Sequence, residues 1–171
     1  MKKIKVRKGE VIQRVGGSNK YVFFVESGLL RSYSVDRNGK ENIFMFAPEG
    51  WVIADTHPED KPSTVFIDAI EDSTVIAYMK NVEEEKKNVD KLMKRLPVLQ
   101  DRIIRLLSTN AIERYEHFVK THPDLLQRVS QKMIASYLGI NPETLSAAKK
   151  QQFERLKKKS KTMKKSFLMN S

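Results

Sequence analysis

The chain has 171 residues, with 32 Lys and Arg against 21 Asp and Glu, and its formal net charge is +11. Its length allows one large domain or two small ones with a true core, and its apolar content of 40% excludes a disordered chain or a membrane protein. It has no cysteine, which excludes disulfides, Cys-held iron–sulfur clusters and Cys-type zinc sites.

The sequence predicts a cytoplasmic protein with no membrane partner. No apolar run approaches the length of a transmembrane helix. The first ten residues, MKKIKVRKGE, are basic but contain no apolar stretch of the kind that a signal peptide needs.

The positive charge is concentrated in the second half of the chain. Residues 1–80 carry twelve Lys and Arg against eleven Asp and Glu, a net charge of +1, whereas residues 81–171 carry twenty against ten, a net charge of +10. A polyanion is the natural partner for such a half, with a membrane surface or plain solubility as the alternatives.

Residues 1–80 are predicted to form an antiparallel β-roll, and the fold class is α+β. Short β-rich runs alternate with turn signals. The run Tyr21–Val25 is almost continuously apolar, which predicts a strand buried on both faces. Asn38-Gly39 predicts a tight hairpin between two further strands, because it supplies the positive φ angles of such a turn. The long polar loop ADTHPEDKPS, residues 54–63, is either a ligand-binding loop or a solvated connection.

Residues 81–119 are predicted to form a helical segment that connects the two halves of the chain and mediates dimerisation. Apolar residues recur there at steps of four and three, the spacing of a coiled-coil seam: Leu92, Leu96, Leu99, Ile103 and Leu106. Pro97 lies inside this pattern and must either kink the helix or mark a new start. We favour a short helix ending near Arg95 and a long one from about Pro97 to Val119. The seam can pair two copies of the chain or pack on the β-roll within one copy.

Residues 120–155 are predicted to contain a helix-turn-helix, although an ordinary pair of packed helices would have a similar pattern. Ser130 is a good N-cap for the first helix, and Gly139 allows the sharp turn. Asn141 caps the second helix, with Pro142 at its first position. Ala135 is small enough for close approach of the helices, and Leu145 faces the angle between them. Residues 156–171 form a basic tail that is predicted to be flexible and to add salt-dependent affinity for a polyanion, unless it is merely solvated.

This order of segments resembles the Crp/Fnr family of bacterial transcription regulators, over about residues 8–151. The resemblance rests on KGEVI at 8–12, YVFFVESGLLRSY at 21–33, NGKE at 38–41, APEGW at 47–51, LLSTNAIERYEHF at 106–118 and HPDLLQRVSQKMIASYLGINPETLS at 122–146. The last phrase is similar to that of Bacteroidetes-type members. The resemblance implies a cyclic-nucleotide-binding-type domain, a dimer helix and a recognition helix at 141–152.

The effector site departs from the family pattern. The family's cyclic-nucleotide cassette uses a Gly-Glu pair and an Arg-Ser or Arg-Thr pair, but here Ala54-Asp55 and Pro62-Ser63 stand at those places. Without a forked guanidinium, bidentate phosphate binding is not expected, so the pocket would hold an unknown small molecule or none. The residues predicted to line it are Trp51, Ile53, Asp55, Lys61, Ser63 and Thr64.

The recognition helix departs as well. Family members usually have an Arg at the position of Ala147, and many have another at that of Pro142, so relaxed sequence specificity is expected. No strand pattern for a wing hairpin follows Phe153. The residues predicted to contact DNA are Ser130, Gln131, Asn141, Glu143, Thr144, Ser146, Lys149 and Lys150.

The leading hypothesis is therefore a homodimeric regulator that binds double-stranded DNA, with no cofactor or metal. The alternative is a sensor or interaction module of the same fold that has lost sequence-specific DNA binding. An enzyme is not expected, because the three His are scattered and neither a catalytic triad nor a phosphate-binding glycine loop is present. A cupin-like enzyme would need clustered His and Glu on facing strands.

Overall fold

The computed structural model describes residues 1–81 and 89–169. They form two compact units, Met1–Leu99 and Gln100–Ser171. The prediction of a β-rich first half followed by helices is confirmed. The chain boundaries predicted from sequence, at residues 80, 119 and 155, stay predictions.

Eight strands make up the β-rich part of the first unit. Their bounds are β1 Lys2–Val6, β2 Val11–Gln13, β3 Tyr21–Ser27, β4 Leu30–Val35, β5 Glu41–Ala47, β6 Val52–Ile53, β7 Phe66–Ala69 and β8 Ser73–Met79. They form two four-stranded sheets with the orders β1-β8-β3-β6 and β2-β7-β4-β5, and all neighbouring strands are antiparallel. Gly39, at φ +77°, makes the predicted turn between β4 and β5.

The core of the first unit lies between the sheets. Phe23 faces Ala77 and Val25 faces Val75 across the β3–β8 pair, and all four side chains are buried. The prediction that Tyr21–Val25 is buried on both faces is wrong, since Tyr21 is 43% exposed and burial alternates along β3. The reason is that β3 lies in one layer of a two-layer structure, so only alternate side chains point inward.

A buried ion pair crosses the second sheet. Arg31 on β4 donates from Nε to Asp68 Oδ1 over 2.8 Å and from Nη2 to Asp68 Oδ2 over 2.9 Å, and its Nη1 reaches Glu41 Oε2 at 2.6 Å. Burial by itself lowers the pKa of Arg31, but these hydrogen bonds outweigh it and the pKa is raised. The guanidinium also lies 4.3 Å from the ring centroid of Tyr33. The bonds satisfy charges that would otherwise be costly to bury.

The described residues after β8 form five helices: α1 Val89–Ser108, α2 Ala111–Thr121, α3 Leu125–Arg128, α4 Gln131–Tyr137 and α5 Pro142–Met169. Residues 82–88 of the predicted connecting segment lie outside the described part of the chain. The helical backbone continues to Met169, through the predicted start of the basic tail at residue 156, and the boundary and flexibility of that tail stay predictions.

The predicted helix break at Pro97 is wrong. Pro97 lies inside α1, and the chain breaks instead at Thr109 and Asn110. A proline removes one N–H from the helix, whereas Asn110 begins a new helix with a capping box. Its Oδ1 accepts from the backbone N–H groups of Ile112 and Glu113, each over 3.1 Å, and its own N–H donates to Glu113 over 3.4 Å.

Candidate functional site

A polar cluster lies at the base of the loop between β6 and β7, where the sequence predicted an effector pocket, and its centre is buried whereas His57 and Thr64 are exposed. We call it the Asp55 cluster, and its members are Asn19, Asp55, His57, Ser63, Thr64 and Lys80. Asp55 is only 3% exposed. Its Oδ2 accepts from Thr64 N over 2.6 Å, Thr64 Oγ1 over 2.9 Å and Ser63 Oγ over 3.1 Å. Its Oδ1 accepts from His57 N over 2.9 Å and lies 2.7 Å from His57 Nδ1.

These donors stabilise the ionised form of Asp55. Burial by itself raises the pKa of the carboxyl group. The backbone N–H groups of His57 and Thr64, followed by the two side chains, act in the opposite direction and leave the pKa well below its usual range. The cluster therefore contains a buried carboxylate at neutral pH.

The ammonium group of Lys80 is the other charge of the cluster. Lys80 follows β8, is buried, and donates from Nζ to Asn19 Oδ1 over 2.6 Å. It also donates to the backbone oxygens of Asp55, over 2.7 Å, and His57, over 2.8 Å. Asn19 is 1% exposed and donates in turn to the oxygens of His57 and Pro58. The first half of the loop is thus bound to the roll through its backbone.

The arrangement is unfavourable for an anionic ligand at this loop. Two groups that could donate to a phosphate oxygen, Thr64 N and Thr64 Oγ1, both donate to Asp55 Oδ2. Ser63 Oγ lies within hydrogen-bond distance of Asp55 Oδ2 and of the Val65 backbone oxygen, at 3.1 and 2.9 Å. A phosphate placed on these donors would have to displace a carboxylate of the same charge. The carboxylate thus occupies the role that a bound anion would have, and the cluster is satisfied without one.

The structure brings together only half of the residues predicted for the effector pocket. Asp55, Ser63 and Thr64 meet in the cluster, and Ile53 belongs to the apolar core with 1% exposure. Trp51 is 48% exposed, and the exposed Lys61 pairs with Asp60 at 4.0 Å.

Sequence reasoning missed Asn19, His57 and Lys80 as members of this site. No local pattern links Asn19 to Lys80, because these two residues lie 61 positions apart in the chain. Gln13 was missed for the same reason, although its Nε2 donates to Ser63 Oγ over 2.8 Å.

The second candidate site is the pair of helices α4 and α5. Ser130 Oγ accepts from Met133 N over 3.2 Å, which is the predicted N-cap of α4. Asn141 Oδ1 accepts from Thr144 N over 2.7 Å and α5 begins at Pro142, both as predicted. Gly139 has φ +66°, in the left-handed region that favours glycine. The buried residues Ala135, Leu145 and Ala148 hold the two helices together.

The residues predicted to contact DNA divide into two groups. Ser130 and Asn141 use their side-chain oxygens as caps, and Ser146 Oγ donates to Pro142 O over 3.0 Å. The remaining members lie on the surface of the pair, and all but the half-buried Lys149 are exposed: Gln131, Glu143, Thr144, Lys149 and Lys150. Lys149 Nζ donates to Gln131 Oε1 over 2.9 Å, which connects the first turn of α4 to α5. Ser130, Asn141 and Ser146 are exposed as well, but their side-chain oxygens already take part in hydrogen bonds at the starts of the two helices.

Helix α1 carries an exposed apolar face. Leu96, Leu99 and Ile103 of the predicted seam are 48%, 41% and 57% exposed, and Leu106 is 37% exposed. The side chain of Leu92 lies outside the described part of the structure. Apolar side chains in this number are costly to leave in water, so the face is a candidate for pairing.

The side chains that the structure describes include no group of three or more His, Cys, Asp or Glu that could hold a metal ion. Within residues 1–81 and 89–169, no helix has the length and apolar character needed to cross a membrane.

Comparison with known proteins shows which proteins the chain is similar to. Residues 3–82 match the cyclic nucleotide-binding domain family. Electron transport regulator A of Shewanella oneidensis is 26% identical, over 82% of this chain and 64% of that protein. The structure of FixK2 from Bradyrhizobium japonicum has a TM-score of 0.73 at 25% identity, over 90% of this chain and 85% of that one. A transcriptional regulator of the CRP/FNR family from Thermus thermophilus shares the fold, with a TM-score of 0.69 at 18% identity, over 90% and 87% of the two chains.

The two-sheet part of the first unit is thus a domain of the cyclic nucleotide-binding class. The resemblance predicted from the sequence is confirmed, since the chain is similar to Crp/Fnr transcription regulators at low identity. It spans less than two thirds of the length of the curated relatives that it matches, 64% and 63%.

Proposed function

We propose that the chain is a homodimeric, cytoplasmic transcription regulator that binds duplex DNA through α4 and α5. The observation that carries this proposal is the capped α4–α5 pair. Its outward residues, among them Lys149 and Lys150, lie at the start of a helix that belongs to the strongly basic half of the chain. A helix of this kind reads base edges in the major groove, while nearby lysines neutralise phosphates.

Affinity is expected to come mainly from phosphate contacts. The side chain at position 147 is a methyl group, and position 142 is a proline, so neither can donate to a guanine edge. Glu143 and Thr144 are exposed and remain as base contacts, with Glu143 able to accept from a cytosine amino group. We therefore propose relaxed sequence specificity with strong dependence on salt.

Fluorescence anisotropy with labelled duplexes tests DNA binding. The logarithm of affinity should fall linearly with the logarithm of salt concentration, and Lys150→Gln should reduce the slope by about one. Lys61→Gln removes the same charge from the first unit and should leave the slope unchanged. A large preference for one sequence among unrelated duplexes would contradict relaxed specificity, and a chain that ignores duplex DNA would refute the proposal.

A chain that ignores duplex DNA would correspond to the alternative function, a sensor or interaction module of the same fold without specific DNA binding. Ala147 and Pro142, both exposed on α5, motivate it. A slope near zero, in a chain that unfolds cooperatively, would favour this alternative.

We propose that α1 pairs two copies of the chain through its exposed apolar face. Burying Ile103 and its neighbours in a symmetric seam would remove them from water, which favours association. Ile103→Glu should shift sedimentation equilibrium from dimer to monomer. Ser108→Glu adds the same charge to an exposed position outside the seam and should leave the dimer intact. A wild-type monomer at micromolar concentration would contradict the pairing.

We propose that the first unit does not bind cyclic AMP at the Asp55 cluster. The carboxylate and its donors support this, because a phosphate would meet a like charge there. Isothermal titration of the protein with cyclic AMP should give no binding heat. Saturable binding that Thr64→Ala abolishes would contradict the proposal.

A further inference from the structure

Arg102, near the end of α1, binds the last residue of α4 in two ways. Its guanidinium carbon lies 4.0 Å from the ring centroid of Tyr137, and its Nη2 donates to the Tyr137 backbone oxygen over 3.2 Å. One guanidinium therefore lies over the ring and caps the carbonyl at once.

A second arginine binds the next carbonyl. Arg114 of α2 donates from Nη1 to the backbone oxygen of Leu138 over 2.8 Å. The carbonyls at the end of a helix have no partner within the helix and carry the negative end of its dipole. Two guanidinium groups, one from α1 and one from α2, thus hold the end of α4.

The turn that follows is packed against the same elements. A Cβ atom on Gly139 would lie 3.4 Å from Leu106 Cδ2 and 3.6 Å from Arg114 Nη1, so α1 and α2 both reach the turn. The ring of Tyr137 also contacts Phe118, with centroids 5.6 Å apart, and His122, at 6.0 Å. Tyr137 thereby contacts both Arg102 and the end of α2.

We propose that Arg102 is a positioning residue that couples the end of α1 to the α4–α5 turn and so sets the direction in which α5 leaves it. Only four residues separate Tyr137 from Pro142, the first residue of α5. A displacement of Arg102 along α1 moves the ring and the carbonyl together, and α5 follows. The consequence for DNA rests on the proposed function, whereas the coupling itself does not.

Amide hydrogen exchange on the full chain tests the coupling without DNA. The reporters are the N–H groups of Gly139 and Ile140, which donate to Ser136 O and Ala135 O and close the turn. Arg102→Met should speed their exchange by about tenfold or more, because the cap and the stack are both lost. Exchange of Val75 in the first unit should stay unchanged. Arg105→Met, a partly exposed arginine on the same helix, is the matched control and should leave the turn as in wild type.

A double-mutant cycle separates coupling from general loss of packing. If Arg102 acts through Tyr137, Arg102→Met should speed exchange less in a Tyr137→Leu background than in wild type. Additive effects, an unchanged turn in Arg102→Met, or an equal effect of Arg105→Met would each overturn the proposal. Should Arg102→Met fail to unfold cooperatively, Arg102→Lys, which keeps the charge and the stem, is judged by the same criteria.

Duplex affinity gives the functional arm. Arg102→Met should weaken binding about tenfold while Arg105→Met costs only the effect of one lost charge. A wild-type chain that binds no duplex would refute the proposed function, and the exchange result would still decide the role of Arg102. Normal DNA affinity of Arg102→Met with faster exchange at the turn would refute the link to α5.

Discussion

The ammonium group of Lys80 and the amide oxygen of Asn19 lie 2.6 Å apart in the interior of the first unit, and this bond joins the end of β8 to the turn before β3. The same ammonium caps two backbone oxygens of the β6–β7 loop. One cation therefore serves three acceptors that come from two distant parts of the chain.

Lys80→Met should destabilise the first unit by about 2–4 kcal/mol, because three buried acceptors lose a charged donor. Urea unfolding followed by the fluorescence of Trp51, the single tryptophan, measures this unit. Lys61→Met removes an exposed ammonium from the same loop and should change the free energy of unfolding by less than about 0.5 kcal/mol. An unchanged urea midpoint for Lys80→Met would show that the three bonds contribute little.

Acid should weaken the first unit through Asp55. Because its pKa is lower in the folded than in the unfolded state, the stabilisation is complete above the ordinary pKa of about 4 and is lost as pH falls toward the folded value. Asp55→Asn should cost about 2 kcal/mol or more at neutral pH, and the difference from wild type should shrink below about pH 4. Urea midpoints across pH 2–7 measure this, with the exposed Asp60→Asn as control. A difference that is independent of pH would contradict the ionised role of Asp55.

The second unit should lose stability as pH falls through the range in which histidine titrates. Burial lowers the pKa of His122, and the nearby charges of His117 and Arg102 lower it further. The neutral ring stacks on Phe118 with centroids 5.3 Å apart. The stabilisation is therefore present above the unfolded pKa of about 6.5 and is lost as pH falls through the folded pKa.

His122→Phe keeps the stack and should reduce the pH dependence of thermal unfolding between about pH 5 and 7, followed by circular dichroism of the helices. His117, whose pKa is also lowered by burial, should account for the dependence that remains. An identical pH profile for His122→Phe and wild type would exclude a contribution from His122.

Two glycines with similar backbone angles should respond very differently to substitution. A Cβ atom on Gly28, at φ +91°, would lie 2.7 Å from the backbone oxygen of Asp72 and would also meet Ser73 Oγ. Gly39, at φ +77°, has nothing within 4 Å of that position. Gly28→Ala should cost more than about 3 kcal/mol, whereas Gly39→Ala should cost only the roughly 1 kcal/mol of left-handed strain. Equal urea midpoints for the two variants would contradict the close approach at Gly28.

Local chemistry accounts for the features that were predicted correctly. Asn38-Gly39 makes its turn, and Ser130 and Asn141 cap their helices, because each needs only its own neighbours within three residues. The wrong prediction of a helix break at Pro97 came from giving one local signal too much weight. A single missing N–H does not end a helix when the flanking residues favour it, and the competing capping box at Asn110 went unnoticed.

The residue sequence was therefore sufficient for the β-rich and helical halves, the family and the caps, since these depend on short-range patterns that survive in any context. It was insufficient for the partners of Asp55 and Arg102. Lys80 reaches Asn19 across 61 residues, and Arg102 reaches Tyr137 across 35. Which buried donor meets which acceptor depends on how strands and helices pack, because a charge that is costly to bury is tolerated only where folding brings its partners within hydrogen-bond distance.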